Sequence, residues 1–313
     1  MTDRPDRGPV ADAVKGNWVD ARAPAAWRPW LRLSRVDRPI GTWLLLLPCW
    51  WGLALAVAAT GFRPEALWIA AGCALGAVLM RGAGCTWNDV TDRDIDGRVA
   101  RTRSRPIPAG EVTVRGALAW MAAQTVLAAV ILFTFDVAAI ALGVLALLPV
   151  AVYPFAKRFT WWPQAFLGIA FNWGALLAWA AHAGGLGWPP VLLWLGGIAW
   201  TLFYDTIYAY QDIDDDALIG VRSTARRFGD RPRPWLRGFA AAAVALMTAA
   251  ALAALPPLPG AVAALGAWAM GWHMAWQLMR LDVADAGACL ALFRSNRLAG
   301  MLPLPFFAAA ALL

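Results

Sequence analysis

Residues 66–96 read ALWIAAGCALGAVLMRGAGCTWNDVTDRDID, so an apolar run of about twenty residues passes directly into a cluster of acids. A helix needs roughly 20 apolar residues to cross the hydrocarbon core of a bilayer. The 313-residue chain is 60% hydrophobic and 15% charged, which is typical of a polytopic membrane protein. Its apolar stretches predict an all-α helical bundle of about nine transmembrane helices, at residues 39–60, 66–88, 114–134, 137–156, 162–182, 189–209, 235–256, 258–279 and 297–313.

The basic residues indicate the orientation of these helices. The 27 Lys and Arg residues fall almost entirely in the N-terminal tail and in segments 89–115, 157–158, 222–237 and 280–297, whereas Arg63 is the basic residue of the opposite loops. The positive-inside rule therefore places the tail and both acidic segments on the cytoplasmic side. This distribution explains the net charge of +7 without a nucleic-acid partner. We expect the protein to lie in the lipid bilayer of a bacterial inner membrane, with an active site that faces the cytoplasm.

The domain organisation is simple. Residues 1–25 are rich in Pro, Asp and Arg and lack hydrophobic periodicity, which predicts a mobile tail. Residues 26–313 are predicted to form one membrane domain. Within that domain, two long cytoplasmic loops follow the second and sixth predicted helices, and each begins with acids and continues into basic residues.

Both acid runs have helical spacing. Asn88, Asp92 and Asp96 are four residues apart, and the second run places four polar side chains on one predicted helical stripe, namely Asp205, Tyr208, Asp212 and Asp216. A stripe of carboxylates repels itself unless a cation sits between the side chains. Oxygen ligands of this kind suit Mg²⁺, which usually also binds substrate phosphates. The two stripes together therefore predict a clamp for a metal-bound diphosphate.

An allylic prenyl diphosphate is a natural ligand for such a clamp, because its tail would lie in the bilayer and its head at the cytoplasmic interface. Mg²⁺ at the acids would stabilise the diphosphate as a leaving group. The resulting allylic carbocation would be shielded from water by apolar and aromatic walls. An electron-rich aromatic acceptor would then be alkylated in preference to hydrolysis.

Two signatures resemble those of a known family. The pattern Asn-Asp-x-x-Asp-x-x-x-Asp at 88–96 and the run 204–224 are similar to the first and second signatures of the UbiA superfamily of intramembrane prenyltransferases. The second signature, together with segments 37–41 and 153–160, resembles the branch that acts on 4-hydroxybenzoate. The resemblance covers residues 28 to 313.

The resemblance implies a bundle around a central cavity under a cytoplasmic cap. It also implies a Mg²⁺-dependent enzyme that transfers a polyprenyl group from polyprenyl diphosphate to 4-hydroxybenzoate, ortho to the hydroxyl, in ubiquinone biosynthesis. The metal-diphosphate ligands carried over from the family are Asn88, Asp92, Asp96, Asp212 and Asp216. Asp89 and Asp205 match family acids whose role is less defined, and the proton acceptor for the ring hydrogen stays open among Asp205, Asp212 and released diphosphate.

Several arginines are candidates for substrate binding. Arg81 lies inside an apolar helix two turns before Asn88, so it needs an anionic partner, either a motif carboxylate or the acceptor's own carboxylate. Arg158 matches a family arginine that would meet phosphate or the acceptor carboxylate. Arg35 and Arg38 precede the first helix and are interpreted as interface anchors, with contact to the acceptor carboxylate as the alternative.

Other functions remain as alternatives. A prenyltransferase of the same family could use another acceptor, such as heme, a naphthoate or homogentisate. From a different class, a cation-coupled transporter would use intramembrane acids as an ion path. Transporters tend to place such acids near the bilayer midplane, whereas these lie at the predicted cytoplasmic ends of helices. His182 and His273 are isolated, and we assign neither to catalysis.

Overall fold

The computed structural model describes residues 10, 13–14, 16–97, 102–218 and 220–313. Every regular element in these residues is helical, and they contain no strand. A short 3₁₀ turn at Tyr210–Asp212 separates α9 from α10. The helices are α1 (Trp18–Arg22), α2 (Arg28–Leu33), α3 (Ile40–Thr60), α4 (Glu65–Asp96), α5 (Val114–Leu132), α6 (Val137–Leu145), α7 (Leu147–Phe159), α8 (Pro163–Ala183), α9 (Trp188–Ala209), α10 (Ile213–Leu218), α11 (Thr224–Phe228), α12 (Arg233–Ala254), α13 (Pro257–Arg280), α14 (Ala286–Met301) and α15 (Pro303–Ala310).

The prediction of an all-helical membrane protein is confirmed. Within the described residues, seven spans are long and apolar enough to cross a membrane: α3, α4, α5, α6 with α7, α8, α9 continued through the 3₁₀ turn, and α12. The eighth predicted span corresponds to α13, a helix of 24 residues. The predicted number of nine is therefore approximate.

The last predicted span, 297–313, began too late. α14 already begins at Ala286, because the Asp285 carboxylate caps it by accepting hydrogen bonds from the backbone of Gly287 and Ala288. Basic residues assigned to a loop, such as Arg294, therefore lie on a helix. The helix is interrupted at Leu302, directly before Pro303.

The fourth membrane span is broken at Ala146, between α6 and α7. Pro149 lies in the first turn of α7 and has no backbone N–H to donate to the carbonyl of Leu145, so the hydrogen-bond ladder is interrupted one turn earlier. The prediction of one span at 137–156 holds for its position, although the span ends at Phe159.

Part of the segment predicted to be a mobile tail lies outside the described residues. Its C-terminal part contains α1, which is capped by the Asn17 side chain. Asp20 in α1 forms an ion pair with Arg32 of α2, with 2.7 Å between Oδ1 and Nη2. This part is thus bound to the next helix, and the mobility of the remainder stays a prediction.

The described chain divides into two compact units: residues 1–43 with 75–131, and residues 44–74 with 132–313. The first unit packs α2 and the loop after α4 on the ends of α4 and α5. Its buried cluster consists of Leu33, Val90, Ile107, Val112 and Ala117. Ser34 joins these elements, because its hydroxyl donates to Gln124 at 3.1 Å and accepts from the Trp120 indole at 2.8 Å.

The second unit is built on α9, which packs against α8 and α12. Trp51 of α3 and Trp200 of α9 are fully buried in it, with ring centroids 5.0 Å apart. The Trp51 indole donates to the backbone carbonyl of Gly300 at 2.7 Å. Outward-facing apolar side chains such as Val137 and Trp272, 78% and 81% exposed, suit a surrounding bilayer.

The packing of α3 on α8 makes Gly52 sensitive to substitution. A Cβ at Gly52 would lie 2.9 Å from the Cα of Ala175, and this backbone cannot move aside without separating the helices. Gly52→Ala is expected to lower the free energy of unfolding by about 1–3 kcal/mol. Thermal unfolding in detergent micelles measures the change. Gly76→Ala is the matched control, because nothing lies within 4 Å of its Cβ position, and an unaltered melting temperature of Gly52→Ala would contradict this packing.

Candidate active site

The first acid run forms the last two turns of α4, which continues beyond the predicted span to Asp96. Gly97 directly follows the helix end. Asn88, Asp92 and Asp96 therefore share one face of a single helix. The carboxylates of Asp92 and Asp96 lie in residues that are only 1% and 5% exposed. Buried acids in this position require cations nearby.

Two arginines supply part of that positive charge. Arg35 Nη2 lies 2.5 Å from Asp89 Oδ1, and Arg105 Nη1 lies 3.2 Å from the same oxygen. Arg105 Nη1 also pairs with Asp96 Oδ2 at 2.7 Å. All four residues are buried. Asp89, whose role the sequence left undefined, thus holds two arginines on the face of α4 that carries Asp92 and Asp96.

Arg35 adopts an unusual backbone conformation to reach this network. Its φ is 59°, in the left-handed region that a bulky side chain rarely occupies. Burial lowers the pKa of its guanidinium, but the adjacent Asp89 carboxylate more than offsets this effect, so the pKa of Arg35 is raised above its usual value. The interpretation of Arg35 and Arg38 as interface anchors is wrong, because both are buried, 6% and 9% exposed.

The neighbouring acid, Asp37, is also buried. Burial raises the pKa of Asp37 to about 6, although the charge of Arg35 acts in the opposite direction. Arg38 Nε lies 3.3 Å from Asp37 Oδ1. The link between α2 and α3 therefore contributes three buried charged groups to the first unit.

Arg81 packs directly against the first turn of α3. A Cβ at Gly41 would lie 2.5 Å from both Nε and Nη2 of Arg81, so only glycine leaves room for the guanidinium at this place. The sequence predicted an anionic partner for Arg81 and left its identity open. The structure adds that the guanidinium of Arg81 lies against Gly41.

The second acid run departs from its prediction. Asp205 and Tyr208 lie on α9, but the helix ends at Ala209 and a 3₁₀ turn precedes α10. A 3₁₀ turn has three residues per turn, so Asp212 and Asp216 do not continue the stripe in α-helical register. The four side chains are each partly exposed. The Tyr208 ring packs against Phe293 of α14, with ring centroids 4.4 Å apart and ring planes tilted by 41°.

The loop after α10 is fastened to the end of α7. Arg222 donates its backbone N–H to Lys157 at 3.1 Å and its guanidinium to the carbonyl of Phe159 at 2.8 Å. Arg226 donates to the carbonyl of Asp216 at 3.3 Å. Arg158 is exposed beside this junction and lies over the Phe155 ring. α7, which carries Arg158, is therefore joined by hydrogen bonds to the loop that follows the second acid run.

The donors of the acid runs fit Mg²⁺ by their chemistry. They are carboxylate and amide oxygens, and the buried Oδ2 of Asp89 has no hydrogen-bond partner among the described residues. No three His, Cys, Asp or Glu side chains of the described part converge closely enough to form a metal site. The assignment of Asn88, Asp92, Asp96, Asp212 and Asp216 as metal ligands stays a proposal.

Sequence reasoning missed Arg105, which ties the loop after α4 to Asp89 and Asp96. Arg105 directly precedes a Pro-Ile-Pro turn, and an arginine held at such a turn is the signal that could have identified it. The pairing of Arg35 with Asp89 had no comparable signal, because the two residues are 54 positions apart in the chain.

Comparison with known proteins places the chain among prenyltransferases. Residues 45–297 match the UbiA prenyltransferase family. The chain is 46% identical over 284 residues to mitochondrial 4-hydroxybenzoate polyprenyltransferase of Mus musculus, covering 90% of this chain and 74% of that protein. It is 45% identical over 282 residues to the protein of the same name in Homo sapiens, with coverage of 90% and 74%.

Solved structures have the same fold. A UbiA homolog from Archaeoglobus fulgidus bound to GPP and Mg²⁺ superposes with a TM-score of 0.70 at 18% identity, covering 91% of this chain and 100% of that one. An apo UbiA homolog from Aeropyrum pernix K1 gives a TM-score of 0.66 at 25% identity, with coverage of 86% and 96%.

The arginine network predicts a large effect of neutralising Asp89. Asp89→Asn leaves Arg35 and Arg105 buried without their shared carboxylate, so the free energy of unfolding is expected to fall by about 3–5 kcal/mol. Thermal unfolding in detergent measures the loss. Asp94→Asn is the matched control on the same helix, because the Asp94 side chain is 81% exposed. Equal melting temperatures for the two variants would contradict the network.

Proposed function

Because the chain belongs to the UbiA prenyltransferase family, we propose that it transfers a polyprenyl group from polyprenyl diphosphate to the ring of 4-hydroxybenzoate, ortho to the hydroxyl, and releases diphosphate. Relatives about 45% identical over 90% of the chain carry that name, which supports the acceptor assignment. The observation that carries the proposal is the pair of acid runs at the ends of α4 and α9, in a chain that is otherwise strongly apolar. Ubiquinone biosynthesis is the corresponding pathway.

The first step is the departure of diphosphate. Asn88, Asp92, Asp96, Asp212 and Asp216 would hold Mg²⁺. When bound, the metal neutralises diphosphate oxygens and stabilises the leaving group. Arg105 pairs with the Asp96 carboxylate at 2.7 Å, so this proposed ligand is held in position before substrate arrives.

The second step joins the allylic carbon to the ring. The phenol oxygen donates electron density to the ortho and para positions, and the carboxylate already occupies the para position, so the ortho carbon attacks. The ring then loses its proton to Asp205, Asp212 or the released diphosphate. Apolar helices around the reacting chain exclude the water that would otherwise capture the carbocation.

The protein is an integral membrane protein, and its finer location is part of the proposal. The relatives named above are mitochondrial, so they do not support a bacterial inner membrane. We propose that the acid runs face the compartment in which the basic loops are retained, which is the cytoplasm if the membrane is a bacterial inner membrane.

Purified protein mixed with Mg²⁺, a polyprenyl diphosphate and 4-hydroxybenzoate should release diphosphate and form prenylated 4-hydroxybenzoate. A panel of heme, naphthoate and homogentisate acceptors provides the comparison. Preference for one of these acceptors would assign it as the substrate in place of 4-hydroxybenzoate. Ion flux without diphosphate release would indicate a transporter.

The metal proposal predicts that prenyl transfer requires both acid runs. Asp92→Asn and Asp212→Asn should each lower prenyl transfer by orders of magnitude while the protein still folds, and chelation should silence the native enzyme until Mg²⁺ is restored. Product formation is followed by chromatography. The controls are Asp94→Asn and Asp214→Asn, whose side chains are exposed next to each acid set. Full activity in EDTA would refute the metal proposal.

Arg81 can be tested through Gly41 as well as directly. Gly41→Ala displaces the flexible guanidinium of Arg81 without a backbone clash. If Arg81 binds the acceptor carboxylate, both Gly41→Ala and Arg81→Ala should raise the KM for 4-hydroxybenzoate, with the KM for the prenyl diphosphate nearly unchanged. Gly84→Ala, on the same helix with nothing within 4 Å of its Cβ position, is the control. A rise in both KM values would assign Arg81 to the diphosphate or its ligands.

The orientation predicts which loops can be labelled from outside. In a background that lacks the four native cysteines, Arg103→Cys and Arg227→Cys should resist an impermeant thiol reagent in sealed cells, although both positions are exposed on the protein. Phe62→Cys, in the loop between α3 and α4, should react, since Phe62 is 63% exposed on the opposite side of the predicted membrane. The reverse pattern would invert the topology.

A further inference from the structure

A groove on the membrane-facing side of the second unit has no role in the proposed reaction. It lies between α13 and α14 and has a volume of about 640 Å³. This volume falls within the usual range for small-molecule sites, roughly 300–1,000 Å³. The groove is apolar except for one histidine, and its lining consists of Ala269, Trp272, His273, Trp276, Leu298 and Leu302.

The histidine is connected to the core by a chain of side-chain hydrogen bonds. Trp200 Nε1 lies 3.0 Å from Asn296 Oδ1, and Asn296 Nδ2 lies 3.2 Å from Gln277 Oε1. Gln277 Nε2 lies 3.0 Å from His273 Nδ1. Asn296 and Gln277 are completely buried. The chain therefore links the floor of the groove to the buried tryptophan of α9.

The direction of every bond in this chain follows from its first member. An indole N–H can only donate, so the Asn296 atom that faces it must be the oxygen. The amide nitrogen of Asn296 then donates to the oxygen of Gln277, and the amide nitrogen of Gln277 donates to His273. Because Nδ1 of His273 accepts, the neutral imidazole carries its proton on Nε2. His273 thus offers an N–H donor to an apolar groove.

We expect this donor to lie below the headgroup layer of the surrounding bilayer. Arg280 ends α13, and its guanidinium covers the Trp276 ring at 5.1 Å, so it marks the polar boundary of the helix. His273 lies seven residues earlier, which is about 10 Å deeper along the helix axis. Ester carbonyls of phospholipids stay in the interfacial layer. A donor at this depth suits a molecule whose polar group enters the hydrocarbon region.

We propose that this groove binds an uncharged, apolar-tailed molecule with a planar carbonyl-bearing ring, whose carbonyl oxygen accepts from His273 Nε2. The walls suit a ring, because Trp272 and Trp276 flank the histidine, and the Trp276 ring lies 5.1 Å from the imidazole. An unsatisfied N–H in hydrocarbon is unfavourable, and a carbonyl acceptor removes this cost. The site lies apart from both acid runs along the chain and goes beyond the proposed transfer reaction.

Equilibrium binding to the full chain in nanodiscs tests the proposal. The probe is a radiolabelled benzoquinone with a short isoprenoid tail, compared with the same tail on a benzene ring that lacks the carbonyls. The wild-type protein should bind the quinone roughly tenfold more tightly than the hydrocarbon analogue, as expected for one hydrogen bond in an apolar setting. His273→Ala should remove this preference, and Leu298→Trp should abolish binding of both probes by filling the groove.

The controls separate a binding role from a structural one. Trp268→Leu changes an exposed residue on the same helix that does not line the groove, and it should leave both affinities unaltered. If His273→Ala does not fold, Leu298→Trp still decides whether the probe occupies the groove. An unchanged carbonyl preference in His273→Ala would overturn the proposal. Competition by ester-linked lipids, with none by ether-linked lipids, would also overturn it, because a bilayer lipid would then be the occupant.

Discussion

The shared carboxylate of Asp89 is the constraint on which the first unit depends. Acids at 89, 92 and 96 lie on one face of α4, and such a stripe is stable only with positive charge between its members. Arg35 and Arg105 provide that charge from two different segments of the chain. Leaving one buried charge without its partner costs several kcal/mol, so both arginines must be delivered to the same oxygen.

This requirement explains local features that otherwise have no cause. The left-handed backbone of Arg35 is tolerated because Asp89 fixes its side chain. The loop that contains Arg105 folds back on α4 and buries Ile107 and Val112 beside it. The same network holds the carboxylate of Asp96, and Asp92 lies one turn away on the same face. An internal set of arginines therefore shapes the place where a metal-bound anion is proposed to bind.

The second unit shows the same rule with uncharged groups. In the chain from Trp200 to His273, the side-chain oxygen and nitrogen of Asn296 and of Gln277 all form hydrogen bonds. Buried polar groups in an apolar bundle must be satisfied internally, because no water or lipid supplies the missing bonds. Where such a chain reaches the surface, its last member has a defined donor or acceptor character.

The sequence predicted the helices and the acid runs well, because hydropathy and residue spacing are local signals. It placed the membrane spans within a few residues for α3, α8 and α9. The sequence did not predict the 3₁₀ turn at Tyr210–Asp212, because the local signal for such a turn is weak. This turn interrupts the second stripe. The prediction also failed where contacts join distant segments: the pairing of Arg35 with Asp89 and the contact of Arg81 with Gly41 depend on packing that no single stretch encodes.

Hydrogen–deuterium exchange of the native protein and of Asp89→Asn, measured by mass spectrometry in nanodiscs, tests the central claim most directly. The backbone of the loop after α4 is internally hydrogen-bonded, for example from Ala109 to Arg105 and from Val112 to Pro106, each within 3.0 Å. If Asp89 holds this loop through Arg105, peptides covering residues 102–113 should lose protection in the variant, while those of α8 should exchange as in the native protein. Unchanged protection of residues 102–113 in Asp89→Asn would contradict the account.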